Sequence, residues 1–322
     1  MVIEGVLCQF FFFKTAFGPV TAKPSPPNPK NSEPNLVQLR PQRMKIFQLE
    51  PKPLTQIRFL NAGRRKNDFF VDQLPVLHGQ VDELPDGLDA LVVTADLQGR
   101  EPLPEHPDQP LRLIGEVLPS LLAPTLYQLG IGGTQDCGII LAGDFYTYPD
   151  LRGRGGTGDV TSVWQVFAES FKLVVGVAGN HDVFGDGGAA SPHLKPPPMG
   201  DHVHFLNGTR VNAGGKSIAG VSGVIGNPRK NFRRTHEEFL EIIQYLLLQP
   251  TDVLVLHDGP DAPMPECKGI TEVREILERS QPKNLCQLVI RGHKHWPTPL
   301  VELTNGVQIL NVEATVVILT AE

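Results

Sequence analysis

The stretch Lys172-Leu-Val-Val-Gly-Val-Ala-Gly-Asn-His-Asp182 joins an apolar run to three polar residues across a single glycine, Gly179. Runs of β-branched residues flanked by glycine are typical of strands covered on both faces, and open α/β sheets gather their ligands just beyond the carboxyl ends of such strands. The reading is a buried strand over Leu173–Val177 that delivers Asn180, His181 and Asp182 to a sheet edge.

Four further segments repeat the pattern. Leu88–Thr94 runs into Asp96 and Gln98, Gly138–Ala142 into Gly143 and Asp144, Asp252–Leu256 into His257, and Leu288–Arg291 into Gly292, His293 and His295. Singly, each polar residue has an ordinary explanation as a turn aspartate or as a core histidine satisfied by a carbonyl. Jointly, residues of metal-ligand type stand at five successive strand ends, which the sequence alone places at one edge of one sheet. Oxygen and imidazole donors without thiolates suit Mn²⁺, Fe or Zn²⁺ rather than a sulfur-bound structural zinc. A carboxylate such as Asp144 can bridge two cations. Two cations about 3.5 to 4 Å apart acidify a shared water and clamp phosphoryl oxygens during in-line displacement. The implied chemistry is hydrolysis of a phosphoester or phosphoanhydride.

The ordered set Asp96-x-Gln98, Gly143-Asp144, Gly179-Asn180-His181-Asp182, His257 and Gly292-His293-x-His295 resembles the calcineurin-like metallophosphoesterase superfamily from about Leu88 to the C-terminus. The resemblance implies an α/β fold, a four-layer α/β/β/α sandwich with a single main domain, and a centre of two divalent metal ions. Carried over residue by residue, Asp96, Asp144 and His295 would hold the first metal, with Asp144 bridging. Asn180, His257 and His293 would hold the second. His181 would serve the leaving oxygen, and Asp182 would either orient that imidazole or act only as a cap. Gln98 departs from the histidine usual in the first block; its neutral carbonyl oxygen favours Mn²⁺ over Fe or Zn²⁺. An Asp-x-Gln block is similar to the branch of manganese-dependent ADP-ribose and CDP-alcohol diphosphatases, which makes a nucleoside diphosphate-linked substrate conceivable.

Composition narrows the partners. The 322 residues carry a formal net charge of -6 and suffice for one large α/β domain. That charge speaks against nucleic acid and anionic membranes as partners, leaving a small phosphorylated substrate. Cys8, Cys137, Cys267 and Cys286 form no CxxC pair or disulfide framework. Val2–Phe17 is interrupted by Glu4, Gln9 and Lys14, so no membrane span is expected. Val20-Thr21-Ala22 fits a signal-peptidase site, with secretion as the alternative to the cytoplasmic location expected here.

Residues 1–35 read as a leader and proline-rich linker, 36–84 as an N-terminal embellishment with candidate strands at Lys45–Leu49 and Gln56–Leu60, and 85–322 as the metallophosphoesterase domain. A helix is expected over Leu111–Leu122, kinked or broken at Pro119, and another beyond the capping pattern Thr235/Glu238. Short strands at Val203–Leu206 and Ser217–Val221 suggest a second sheet, and hairpin strands after Leu300 complete a sheet rather than a site. Gly185–Asp201 reads as a loop, positioned to serve alternatively as a lid or substrate wall. Arg229, Lys230, Arg233 and Arg234 precede the second helix, and Arg233 and Arg234 are candidates for holding substrate. The competing function is a non-catalytic scaffold of the same fold binding a protein partner, for which Gln98 is the support.

Overall fold

A computed structural model of the chain describes residues 44–63, 65, 68–102, 110–153, 156–185, 195–280 and 286–322. The leader and linker expected before residue 36, and residues 186–194 of the expected loop, lie outside the described residues.

Two sheets lie back to back with helices on their outer faces. The first is built from β1 (Ile46–Leu49), β2 (Thr55–Ala62), β3 (Phe69–Val81), β4 (Ala90–Ala95), β5 (Cys137–Leu141), β6 (Leu173–Gly176) and β7 (Val203–Phe205), with the C-terminal strand described below. The second holds β8 (Thr209–Ala213), β9 (Lys216–Val221), β10 (Val253–Leu256), β11 (Leu288–Arg291), β12 (Leu300–Glu302) and β13 (Gln308–Asn311). The C-terminal strand β14 (Thr315–Ala321) returns to the first sheet between β3 and β4. The first sheet therefore runs β1-β3-β14-β4-β5-β6-β7 with β2 on β3, and the second runs β8-β9-β10-β11-β13-β12.

The strands that carry the candidate site are parallel within each sheet: β4 with β5, β5 with β6, and β10 with β11. All five are buried along their whole length, which explains their unbroken apolar runs. Alternation within those runs still sorts the side chains between layers. Val92, Ile139 and Val174 face the outer helices, whereas Leu91, Val93, Ile140 and Val175 meet Val253, Val255, Leu288 and Ile290 between the sheets. On the far side of the second sheet, Leu254, Leu256 and Val289 pack on Phe239, Ile243, Val273 and Leu277.

The helices are α1 (Ile114–Gln128), α2 (Thr161–Ser170), α3 (His236–Leu246) and α4 (Thr271–Glu278). The first continues through both Pro119 and Pro124 to Gln128, so Pro119, expected to kink or break it, does not end it. Each proline forfeits a backbone hydrogen bond. Burial of Ile114, Val117, Leu118, Leu122 and Leu126 against the first sheet outweighs that loss. Thr235 caps α3 as its sequence suggests, its Oγ1 accepting from Glu238 N at 3.2 Å.

Three differences concern the sheets. The five strand ends belong to two sheets, three to the first and two to the second, so the site lies where the two edges meet. Val203–Phe205, expected in the second sheet, pairs with β6 in the first. The segment read as an N-terminal addition contributes β1, β2 and β3 to the first sheet, and β3 lies inside it despite Pro75. In the antiparallel pair Pro75 stands opposite Gln56.

Candidate metal centre

Three of the candidate side chains leave the carboxyl end of a strand through left-handed backbone. Asp96 follows β4 with φ 55°, Asp144 follows β5 with φ 61°, and His293 follows β11 with φ 69°. Non-glycine residues rarely hold such left-handed backbone, and strain of this kind concentrates at functional sites. Two glycines permit the approach. A Cβ on Gly179 would collide with the Asp144 carboxylate, and one on Gly292 with Oδ2 of Asp96.

Hydrogen bonds then stitch the two sheet edges together. His293 N donates to Asp96 Oδ2 at 2.8 Å, and His257 Nδ1 is 2.7 Å from the Ala142 carbonyl. Within the first sheet, Asp96 N donates to Gly143 O at 2.8 Å and His181 N to Asp144 Oδ1 at 2.8 Å. Behind the last strand end, buried Arg291 donates to Lys268 O at 2.9 Å and to Gly292 O at 2.7 Å, beneath the Trp296 ring. That guanidinium supports the turn carrying His293, and its burial lowers its pKa to about 10.

The centre of the cluster is Asp144. Its Oδ2 lies 3.1 Å from His257 Nε2, 4.0 Å from His181 Nε2 and 3.3 Å from Gln98 Nε2. Ligand atoms of Asp144, His257 and His293 all fall within 4.8 Å of one another. The His257 and His293 rings stand 4.9 Å apart. Asn180 is buried and its Oδ1 has no hydrogen-bond partner among the described residues; neither does His181 Nδ1. Buried acceptors are costly to leave unpaired, so this orphaned carbonyl oxygen, on the residue preceding His181, whose N donates to the Asp144 carboxylate, fits a cation ligand.

Electrostatics agree. Burial pushes the Asp96 carboxyl up to about 8, with His257 opposing and the Asp144 charge adding to the rise. Burial also works against ionised Asp144, yet the charge and hydrogen bond of His257 outweigh it and hold that carboxyl below its ordinary value. For His257 burial opposes the charge, and Asp144 overrides it to raise the imidazole to about 10. Burial, then the charge of His257, drives His293 down to about 4. Such a cluster holds in protons the positive charge that a cation would otherwise supply.

Asp182 has a different task from the hydrogen bond to His181 that was one expectation. Its Oδ2 accepts from Asp144 N at 2.8 Å and Gly179 N at 2.7 Å, and its Oδ1 from Phe145 N at 2.8 Å. It ties the turn after β5 to the turn after β6, the cap-like alternative. Burial and then the charge of Asp144 raise it to about 6 against those three donors.

The other first-metal candidates adjoin the cluster of three: Asp96 Oδ2 accepts from His293 N, and Gln98 Nε2 lies 3.3 Å from Asp144 Oδ2. Asp96, Gln98 and His295 line a cavity of 340 Å³ with Glu313 and, from the N-terminal strands, Phe59, Asn61 and Asp72. Glu313 was not anticipated, because the segment after Leu300 reads as structural. An acid shortly after the strand Gln308–Asn311 is a weaker form of the signal that marks Asp96, because that strand begins and ends on an amide residue. Arg234 donates to Ser222 O at 2.7 Å and Asn207 Oδ1 at 2.6 Å and pairs with Glu238, so its guanidinium is engaged within the protein. Arg233 lines a separate 320 Å³ cavity with Arg229 and Lys230.

Sheets back to back, helices outside and an aspartate–histidine cluster where the carboxyl strand ends meet define the architecture of a metallophosphoesterase. A calcineurin-like phosphoesterase family model matches residues 90–297, more than half the chain, and the protein belongs to that family. Solved structures similar to it include phosphopantetheinyl hydrolase PptH from Mycobacterium tuberculosis, with 15% identity, TM-score 0.37, and coverage of 70% of this chain and 90% of that one. Another is the sulfate thiohydrolase SoxB of Thermus thermophilus, with 12% identity, TM-score 0.36, and coverage of 72% and 53% respectively. No curated protein sequence matches the chain. No helix among the described residues is long and apolar enough to cross a membrane.

Proposed function

We propose that the protein is a metal-dependent phosphohydrolase acting on a small phosphodiester, phosphomonoester or pyrophosphate compound. The observation that carries this reading is the approach of Asp144, His257 and His293, from two different sheets, to within 4.8 Å. Asp96, Asp144 and His295, with Gln98 beside them, would hold one divalent ion; Asn180, His257 and His293, sharing Asp144, would hold the other. Ions bound there supply an acidified water and positive charge for the phosphoryl oxygens. Mn²⁺ suits the set best because Gln98 offers a neutral oxygen, and Fe and Zn²⁺ are compatible with the imidazoles.

The chain's own groups do the rest. His181 has its backbone tied to Asp144 and its side chain 27% exposed, which leaves the imidazole free to give a proton to the leaving oxygen. Asp182 keeps the two neighbouring turns in register. Of the two arginines that would hold substrate, Arg234 is engaged within the protein, and both line a cavity distinct from the one beside Asp96. Residues 85–322 form the catalytic domain, and 36–84 the addition whose strands wall the cavity beside Asp96. A cytoplasmic location accords with the unpaired, buried Cys137, Cys267 and Cys286.

The test is hydrolysis of bis(p-nitrophenyl) phosphate by protein purified without chelator and supplied with Mn²⁺. The expected result is turnover that Asp144→Asn and His181→Ala abolish or sharply reduce. No turnover with any divalent metal, or turnover untouched by both substitutions, overturns the reading. The scaffold alternative draws on Gln98, whose amide points a donor at Asp144 Oδ2. A folded chain that binds no metal would favour it.

A further inference from the structure

The connection from β13 to β14 carries the chain from the second sheet into the first. Glu313, within it, forms an isolated bridge with Ala95, the residue just before Asp96. Its carbonyl accepts from Thr315 Oγ1 at 3.1 Å, and the next residue, Ala314, has φ 45°. Left-handed alanine is uncommon, and here it turns the chain beside the site. The Glu313 side chain is only 23% exposed, whereas the His295 side chain it meets is 79% exposed; Oε2 and Nδ1 stand 3.0 Å apart. Asp96, Gln98, His295 and Glu313 line one cavity.

We propose that Glu313 is a positioning residue for the cation held by Asp96 and His295. A carboxylate accepting the Nδ1 proton leaves Nε2 as the nitrogen with a lone pair, fixes the ring and makes it a stronger donor. The need is specific to this chain. Gln98 stands where a second imidazole is usual in the resembling family, so among the described residues His295 is the one imidazole lining this cavity. An imidazole so exposed would otherwise lose side-chain freedom on binding a cation, and the bond to Glu313 restricts it beforehand. The inference rests on the proposal that this edge of the molecule holds divalent ions. The competing account is an exposed ion pair of small energetic weight.

The experiment is Mn²⁺ titration of the full chain by calorimetry, with bound ion counted by electron paramagnetic resonance. Wild type is expected to bind two ions. In Glu313→Ala one of them should weaken by about 10- to 100-fold while the other keeps its affinity, with a smaller loss in Glu313→Gln, whose amide oxygen still accepts from Nδ1. His295→Ala should weaken the same ion, and adding Glu313→Ala to it should cost nothing more. Unfolding of the metal-free variants checks that they are folded; Glu313→Gln decides if Glu313→Ala is not. Folded variants that bind both ions as wild type does, or losses that add in the double variant, overturn the role of Glu313. A wild-type chain that binds no Mn²⁺ overturns the site reading beneath it, and the two failures are distinct.

Discussion

His257 of the second sheet and Asp144 of the first face each other with Nε2 and Oδ2 3.1 Å apart, while Nδ1 of the same ring lies 2.7 Å from the Ala142 carbonyl. A carbonyl only accepts, so Nδ1 carries a proton. The other nitrogen must then either carry a second proton toward the carboxylate or offer its lone pair to a cation.

That geometry makes cation binding a proton exchange. Burial opposes charge on His257, but Asp144 overrides it and raises the imidazole to about 10, so the metal-free ring is protonated at neutral pH. Loading with Mn²⁺ at about pH 7 should release a proton, and affinity should rise with pH toward that value. Calorimetry in two buffers of different ionisation heat counts the protons; a count of zero contradicts the exchange. In the metal-free chain the raised imidazole contributes stability that is full just below the ordinary histidine value of 6.5 and fades as pH rises through about 10, while in acid it is lost as Asp144 protonates below its ordinary value.

Replacing His181 should separate chemistry from metal binding. Its imidazole is 4.0 Å from Asp144 Oδ2, and only its backbone N is bonded to that carboxylate. His181→Ala is expected to lower kcat by about 10²- to 10⁴-fold, the usual range for a lost general acid. Bound Mn²⁺ should stay at wild-type stoichiometry, and a parallel loss of metal would reassign the residue.

Asp182 should be a stability residue first. Asp182→Ala strips the acceptor from three buried amides, those of Asp144, Phe145 and Gly179. At about 1 kcal/mol or more for each unsatisfied donor, a loss of at least about 3 kcal/mol is expected. Urea unfolding of the metal-free variant measures it; a loss within error of zero would show that water or another group satisfies those amides.

Glu101 gives a pH signature away from the site. Burial would raise its carboxyl, but hydrogen bonds from the Arg112 side chain and backbone outweigh that and hold it low. The bonds run from Arg112 Nε at 3.1 Å, Nη2 at 2.9 Å and N at 2.9 Å. A lowered folded pKa gives stability that is present above the unfolded carboxyl value and is lost as pH falls through the folded one. Glu101→Gln should therefore be less stable than wild type near neutrality, with the difference shrinking in acid. Unfolding free energies from about pH 6 down to about pH 3 test this; a difference that does not change with pH would count against the pairing.

The strand-end pattern was legible because it is local. Apolar runs such as Leu173–Gly176 and Val253–Leu256 extend because their residues fit a covered strand, and whatever follows each run emerges at the sheet's carboxyl edge. Asp96, Asp144, Asn180, His257 and His293 could be picked out on that basis, as could the cap at Thr235.

What was hidden depends on residues distant in the chain. The interior position of β3 was hidden, because the strand pairs with residues 55–62 and 316–321. A run of four or five apolar residues does not say which sheet it will join, and Val203–Phe205 went to the first. The partners of Asp182 and Arg234 were equally unavailable, since a side chain bonds to whatever group packing brings within about 3 Å. Sequence alone thus determined which residues would stand at strand ends, through backbone geometry and hydrophobic patterning. Tertiary structure decided that two sheet edges meet, that Asp144 faces His257, and that Glu313 stands beside His295, because those contacts exist only once distant segments share one core.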